Sequence, residues 1–139
     1  MKIIICGCGK VGSKIIEIML EQKHTLTVID RDADVVRQID AIKLEAITDI
    51  QFITGNIVDQ DILVKAGIEN ADVFLALTND DNANILSAQV AKELFKVKRV
   101  IASVKDPVRA RAFTDELGLD TICGTDLIAE QIKKKIGVK

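Results

Sequence analysis

Short apolar runs alternate with amphipathic segments along the whole chain, and this rhythm constrains the fold more than any other feature. The expected strands are Lys2–Cys6, Thr25–Ile29 closed by Asp30, Ile50–Thr54, Val73–Leu77, Arg99–Val104 and Thr121–Cys123. Val11, Ile15, Ile16, Met19 and Leu20 recur at helical spacing, which predicts a helix from Val11 to Gln22. Val35, Val36, Ile39, Ile42 and Ala46 predict another over Asp32–Ala46. Asp59 caps a short helix that ends at Gly67, and Thr78-Asn79-Asp80-Asp81 opens a long one to about Phe95. Asp106-Pro107 and Gly118 bracket the next, and Thr125 or Asp126 starts the last, to about Ile136. The run VFLAL does not alternate, as expected of a strand buried on both faces. Six strands joined by helical crossovers require a parallel sheet with helices on both faces. The fold class is therefore α/β: a Rossmann-like, doubly wound, six-stranded sheet of order 3-2-1-4-5-6.

One domain spanning residues 1–139 is the economical organisation, because no linker, repeat or low-complexity segment interrupts the pattern. A net charge of −2 gives no basic excess for nucleic acid or an anionic membrane surface. Four Phe with no Trp or Tyr supply no stacking platform for single strands. No apolar run approaches the roughly 20 residues of a membrane span. Three cysteines, an odd number, fit a reducing compartment.

The first strand runs directly into Gly7-Cys8-Gly9-Lys10-Val11-Gly12, and the following strand ends on Asp30, 18 residues beyond Gly12. A GxGxxG triplet is weak evidence alone, but here it follows a strand, opens a helix and precedes a correctly spaced acid. Gly7 allows the turn, Gly9 lets phosphate approach the backbone, and Gly12 permits close packing. Free N–H groups at the helix start favour a pyrophosphate. Asp30 can accept both hydroxyls of an adenosine ribose and repels a 2′-phosphate, favouring NAD, ATP or ADP; the adjacent Arg31 works against that exclusion. The other strand ends should line the same crevice: Asn56 and Ile57 beside an adenine, Thr78 and Asn79 near the pyrophosphate or far ribose, and Ser103 and Lys105 beyond. Thr78, Asn79 and Asp80 serve equally well as helix caps.

The pattern KIIICGCGKVGSKI…TLTVIDRD…FITGN…ADVFLALTNDDNANILSAQVAKEL…RVIASVKDP resembles the nucleotide-binding domain of Trk/Ktr potassium-uptake regulators, known as the KTN, TrkA-N or RCK N-terminal domain. The block ALTNDDNANILSAQVAKEL carries the likeness most specifically. The resemblance implies a cytoplasmic, regulatory module, peripheral to the inner face of the membrane through a potassium transporter subunit. It implies a homodimer or higher ring that binds NAD(H) or ATP/ADP. By position, Gly7, Cys8, Gly9, Lys10, Val11 and Gly12 would hold the pyrophosphate and Asp30 the ribose. Asn56 and Ile57 would contact the adenine, and Leu77, Thr78 and Asn79 the distal half. The family often carries an arginine where this chain has Ser103, which weakens the grip on a terminal phosphate and favours NAD(H). Lys105 nearby would point to the other face of a regular strand. Family regulators also continue into a smaller C-terminal subdomain, which is absent from this chain.

The rival reading is a small NAD-dependent oxidoreductase or a stand-alone dinucleotide-binding protein. Six strand–helix units use the entire chain, no tyrosine is present, and His24 falls at the sheet end away from the ligand, so no catalytic residue is expected. One C-x-C with a distant Cys123 falls short of a structural metal set. Cys6 reads as a core residue and Cys8 as a tolerated turn residue, with an oxidisable Cys8 thiol as the alternative. Asp80-Asp81 reads either as a divalent-ion site or as acids at a helix start. Glu130 with Lys133, Lys134 and Lys135 reads as a contact patch or a solvated face. Ile122, Leu127, Ile128, Ile132 and Ile136 exceed what covering one short strand needs, and they hint at a dimer surface.

Overall fold

A computed structural model describes residues 1–37 and 49–139. The strands are β1 (Lys2–Cys6), β2 (Thr25–Asp30), β3 (Ile50–Thr54), β4 (Val73–Ala76), β5 (Arg99–Ser103) and β6 (Asp120–Ile122). They pair in parallel throughout and form one sheet of order β3-β2-β1-β4-β5-β6, the doubly wound arrangement expected. The helices are α1 (Lys10–Glu21), α2 (Gln60–Lys65), α3 (Asp81–Gln89), α4 (Pro107–Leu117) and α5 (Gly124–Ile136). Residues 33–37 are helical as well; the rest of the helix expected over 32–46 lies outside the described residues.

Period-two alternation splits the strand side chains between two cores. Ile3, Ile5, Leu26, Val28, Val73 and Leu75 face α1, where Ile16 is fully buried. Ile4, Cys6, Ile29, Phe74, Ala76 and Ala102 face the opposite side, against Leu63 of α2, Ile85 and Ala88 of α3, and Ala110 of α4. Each fully buried Ile, Leu or Phe contributes about 1.5–3 kcal/mol. Every residue of β4 is buried, as its unbroken apolar run requires. Val11, counted in the apolar repeat of α1, instead stands 64% exposed in the first turn.

Aspartates start three helices. Asp59 accepts from the Asp61 N–H, Asp80 from the Ala83 N–H, and Asp106 from the Val108 and Arg109 N–H groups. Gly118 ends α4 in the left-handed region at φ 61°, where glycine carries no Cβ penalty. Several details differ from expectation, beginning with β4 and β5, which stop one residue early at Ala76 and Ser103. Val90–Leu94 continues α3 with π winding, and the Phe95 N–H reaches back to the Val90 carbonyl. Strand β6 stops at Ile122, because the Cys123 carbonyl accepts the Leu127 N–H and so begins α5. For the same reason α5 starts at Gly124, ahead of Thr125.

Helix α5 buries none of its residues: Leu127, Ile128, Ile132 and Ile136 are 54–68% exposed. Its apolar residues therefore do not cover β6. Lys133 and Glu130 form a solvent-exposed pair at 3.8 Å, the kind worth a few tenths of a kcal/mol at most.

Candidate functional site: a crevice at the ends of the strands

The strand order reverses between β1 and β4, so the loops that follow them diverge and leave a crevice at the carboxyl end of the sheet. The end of β1 is pinned on both flanks. The Gly7 N–H donates to Ile29 O at 2.8 Å, and the Leu77 N–H donates to Cys6 O at 2.8 Å. The crevice encloses about 320 Å³. Gly7 and Gly9 line it from the first loop, Asp30 and Arg31 from the end of β2, and Asn56 and Ile57 from beyond β3. Leu77, Thr78, Asn79, Asp80 and Ala83 form the opposite wall.

The three glycines have different physical causes. Gly7 adopts φ +102°, and a Cβ there would lie 2.8 Å from Leu77 O. A Cβ on Gly12 would lie 1.9 Å from the Gly7 carbonyl oxygen, so Gly12 is required by the turn itself rather than by helix-to-sheet packing. The chain needs glycine at both positions in order to fold. Gly9 is the opposite case: φ is −69°, open to any residue, and a Cβ would meet nothing within 4 Å. Gly9 is also the N-cap of α1 and offers no side-chain acceptor, whereas α2, α3 and α4 are capped by aspartate. The N–H groups of the first turn of α1 are thus left without a side-chain cap beside the crevice.

Asp30 stitches two loops together. Its Oδ2 accepts the Cys8 N–H at 2.8 Å and its Oδ1 the Asp32 N–H at 2.9 Å. Each carboxylate oxygen keeps further acceptor capacity, enough for a pair of vicinal hydroxyls. Asn56 folds its own loop, with Oδ1 accepting from the Val58 N–H at 3.1 Å, while Ile57 is buried.

The remaining sequence-predicted residues do not line the crevice. Lys10 and Val11 occupy the exposed first turn of α1, and Gly12 is buried behind Gly7. Cys8 lies beneath the loop, packed with Ile3, Ile5 and Ile16. Cys6 is completely buried; burial pushes its thiol well above the ordinary range, and the neighbouring Cys8 adds to this, so Cys6 stays a protonated core residue. Among the described residues no cluster of His, Cys, Asp and Glu is suited to a metal ion. Asp80 and Asp81 are both engaged structurally: Asp80 caps α3, and Asp81 accepts the Lys105 N–H at 3.0 Å. Ser103 lies behind the wall, where its carbonyl accepts from Asn84 Nδ2 at 2.9 Å. Lys105 follows the end of β5, so strand alternation does not govern it. It turns toward the crevice wall, and its Nζ donates to Asn79 O at 2.8 Å.

Asp80, which sequence reasoning grouped with Thr78 and Asn79 at this strand end, does line the crevice; Ala83, in the first turn that follows, was not singled out. Sequence reasoning also passed over Asn84, a side chain with no exposed surface that holds Thr78 from behind. Asn at the fourth position of a helix that opens at a strand end was its only local signal.

Comparison with known proteins supplies the lineage. The family described as the TrkA-N domain matches residues 3–125. The Trk system potassium uptake protein TrkA of Streptomyces coelicolor is 39% identical over 136 residues, covering 98% of this chain and 58% of that protein. The chain thus spans little more than half the length of that relative. Among solved structures, the Kef CTD of Shewanella denitrificans in its AMP-bound form superposes with a TM-score of 0.79 at 15% identity, over 98% of this chain and 79% of the other. The GsuK channel bound to NAD gives a TM-score of 0.69 at 20% identity, over 87% of this chain and 21% of the channel chain. At those identities the two structures share the fold with this chain. Glycine loop, switch-point crevice, the Thr78–Asn84 block and a match over nearly the entire length converge on one lineage, and the chain belongs to the TrkA-N domain family.

Proposed function

We propose that this chain is the nucleotide-sensing part of a potassium-uptake regulator, binding NAD(H) in the crevice between β1 and β4, with ATP or ADP as the alternative ligands. The observation that carries the reading is Gly9: the fold leaves its Cβ position empty and unstrained, directly over the uncapped start of α1. A pyrophosphate fits that space and accepts the free N–H groups. In this reading the Gly7–Gly12 loop holds the pyrophosphate through the open face of Gly9 and the backbone N–H groups of the first turn of α1, Asp30 takes the adenosine ribose, and Asn56 and Ile57 flank the adenine. Arg31 lies at the ribose edge, and Leu77 to Asn79 meet the distal half. NAD in the GsuK channel and AMP in the Kef domain share the adenylate that this half of the crevice would take.

Sensing is favoured over turnover because the two carboxylates among the described lining residues are both engaged structurally, Asp30 by the Cys8 and Asp32 N–H groups and Asp80 as the cap of α3. The named relatives are Trk system potassium uptake proteins, which supports a membrane potassium transporter as partner and a peripheral, cytoplasmic placement. No described helix is long and apolar enough to cross a membrane. The uncovered face of α5 supports a homodimer or higher ring.

Calorimetric titration with NADH, NAD, NADP, ATP and ADP tests the reading, with saturable 1:1 binding of NADH or an adenosine phosphate expected. Asp30→Ala should weaken NADH binding by about 1–3 kcal/mol, because two ribose hydroxyls lose a charged acceptor. The same variant should melt a few degrees lower, since the Cys8 and Asp32 N–H groups lose theirs. Unchanged affinity in a folded variant would remove Asp30 from the site.

A further inference from the structure

The parallel pairing of β4 and β5 ends at Ala76 and Ala102, and one side chain bridges the gap beyond. Asn84 Nδ2 donates to Thr78 O and to Ser103 O, both at 2.9 Å. Two carbonyl partners demand an NH₂ group at that position, so the amide orientation is set by its neighbours. Asn84 Oδ1 therefore faces Thr78, where it accepts the backbone N–H at 3.1 Å and the hydroxyl at 2.5 Å. A hydroxyl has one proton, and Asn84 Oδ1 at 2.5 Å takes it ahead of the Asp80 carbonyl at 3.4 Å. One lone pair of the same oxygen is aligned with the Asp80 N–H at 3.2 Å. What Thr78 Oγ1 still has to offer the crevice is an acceptor lone pair.

The neighbouring Asp80 side chain has the same polarity. Asp80 is a carboxylate that only accepts, and the Lys105 ammonium is turned onto the Asn79 carbonyl. We propose that Thr78 is a specificity-determining contact whose hydroxyl, polarised by the positioning residue Asn84, accepts a hydrogen bond from the distal half of the ligand and so selects a dinucleotide over a nucleoside triphosphate. The distal half of NADH carries ribose hydroxyls and a carboxamide, all of which donate. The terminal phosphate of ATP at neutral pH carries only acceptors and negative charge, and it would meet a spent hydroxyl and the Asp80 carboxylate. The inference rests on the reading that the crevice binds an adenine nucleotide.

Calorimetry on the wild type, Thr78→Val, Thr78→Ser and Asn84→Ala, each titrated with NADH, ATP and AMP, tests it. The wild type should bind NADH at least about tenfold more tightly than ATP. Thr78→Val should lower NADH affinity about tenfold, while AMP, which lacks the distal half, changes less than about twofold; Thr78→Ser restores NADH binding. If Asn84→Ala folds, its NADH-to-AMP affinity ratio should fall with that of Thr78→Val; if it does not, the Thr78 pair carries the test alone. Equal losses for NADH and AMP in Thr78→Val, no loss of NADH, or a wild type that prefers ATP would each overturn the assignment while leaving nucleotide binding intact. A wild type that binds none of the three overturns the reading on which it rests.

Discussion

Gly9→Val should abolish nucleotide binding and leave the fold standing. The backbone at Gly9 has φ −69°, within reach of any residue, and the added side chain meets no atom of the chain within 4 Å at its Cβ. The folding cost is confined to exchanging glycine for a poor N-cap, under about 1 kcal/mol. The same Cβ and its two methyl groups would fill the space where phosphate has to approach the first turn of α1. Affinity for NADH should fall at least about 100-fold, equivalent to about 2.7 kcal/mol. Thermal melting beside a titration checks both halves. A variant that melts normally and titrates normally would show that phosphate does not approach there.

Gly12→Ala should do the reverse and strike the fold itself. Its methyl group would be placed 1.9 Å from the Gly7 carbonyl oxygen, a backbone atom that cannot swing aside as a side-chain end can. Relief requires α1 to lift from the loop, and with it the packing of Ile16 against Ile3, Ile5, Leu26 and Val28. Overpacking of this kind costs about 3 kcal/mol or more, a large share of the stability of a domain this size, and should lower the melting temperature by about 10 °C. Gly124→Ala is the internal control: nothing lies within 4 Å of its Cβ and its φ is ordinary, so its melting temperature should hold or rise slightly. Near-native melting of Gly12→Ala would mean that the turn is looser than described.

These two glycines also show how far the sequence could be read. The strand order followed from alternation, because parallel strands with helical crossovers admit few arrangements. The crevice followed from the order, because ligands sit where it reverses. That Gly9 serves the ligand rather than the turn was legible in the motif; what was not is that Gly12 answers to the Gly7 carbonyl rather than to helix-to-sheet packing. Asn84 was hidden for a related reason. Its importance comes from Thr78 on one strand end and Ser103 on another, 19 residues beyond Asn84 in the chain, a relation that no local pattern encodes. Lys105 was misdirected by strand alternation, which lapses where β5 ends at Ser103. For α5 the apolar spacing was legible, but periodicity states only that a face is apolar; the face proves to be uncovered by the sheet.

The central claim is that one crevice, between the loops after β1 and β4, takes an adenine dinucleotide along its length. Amide chemical-shift mapping of the labelled protein during NADH titration tests it most directly. The account predicts saturable shifts at Gly9, Lys10, Val11, Asp30, Asn56, Ile57 and Thr78, with little change at Ile122, Leu127 or Ile132 at the far edge of the sheet. Shifts confined to that far edge, or none that saturate, would contradict it.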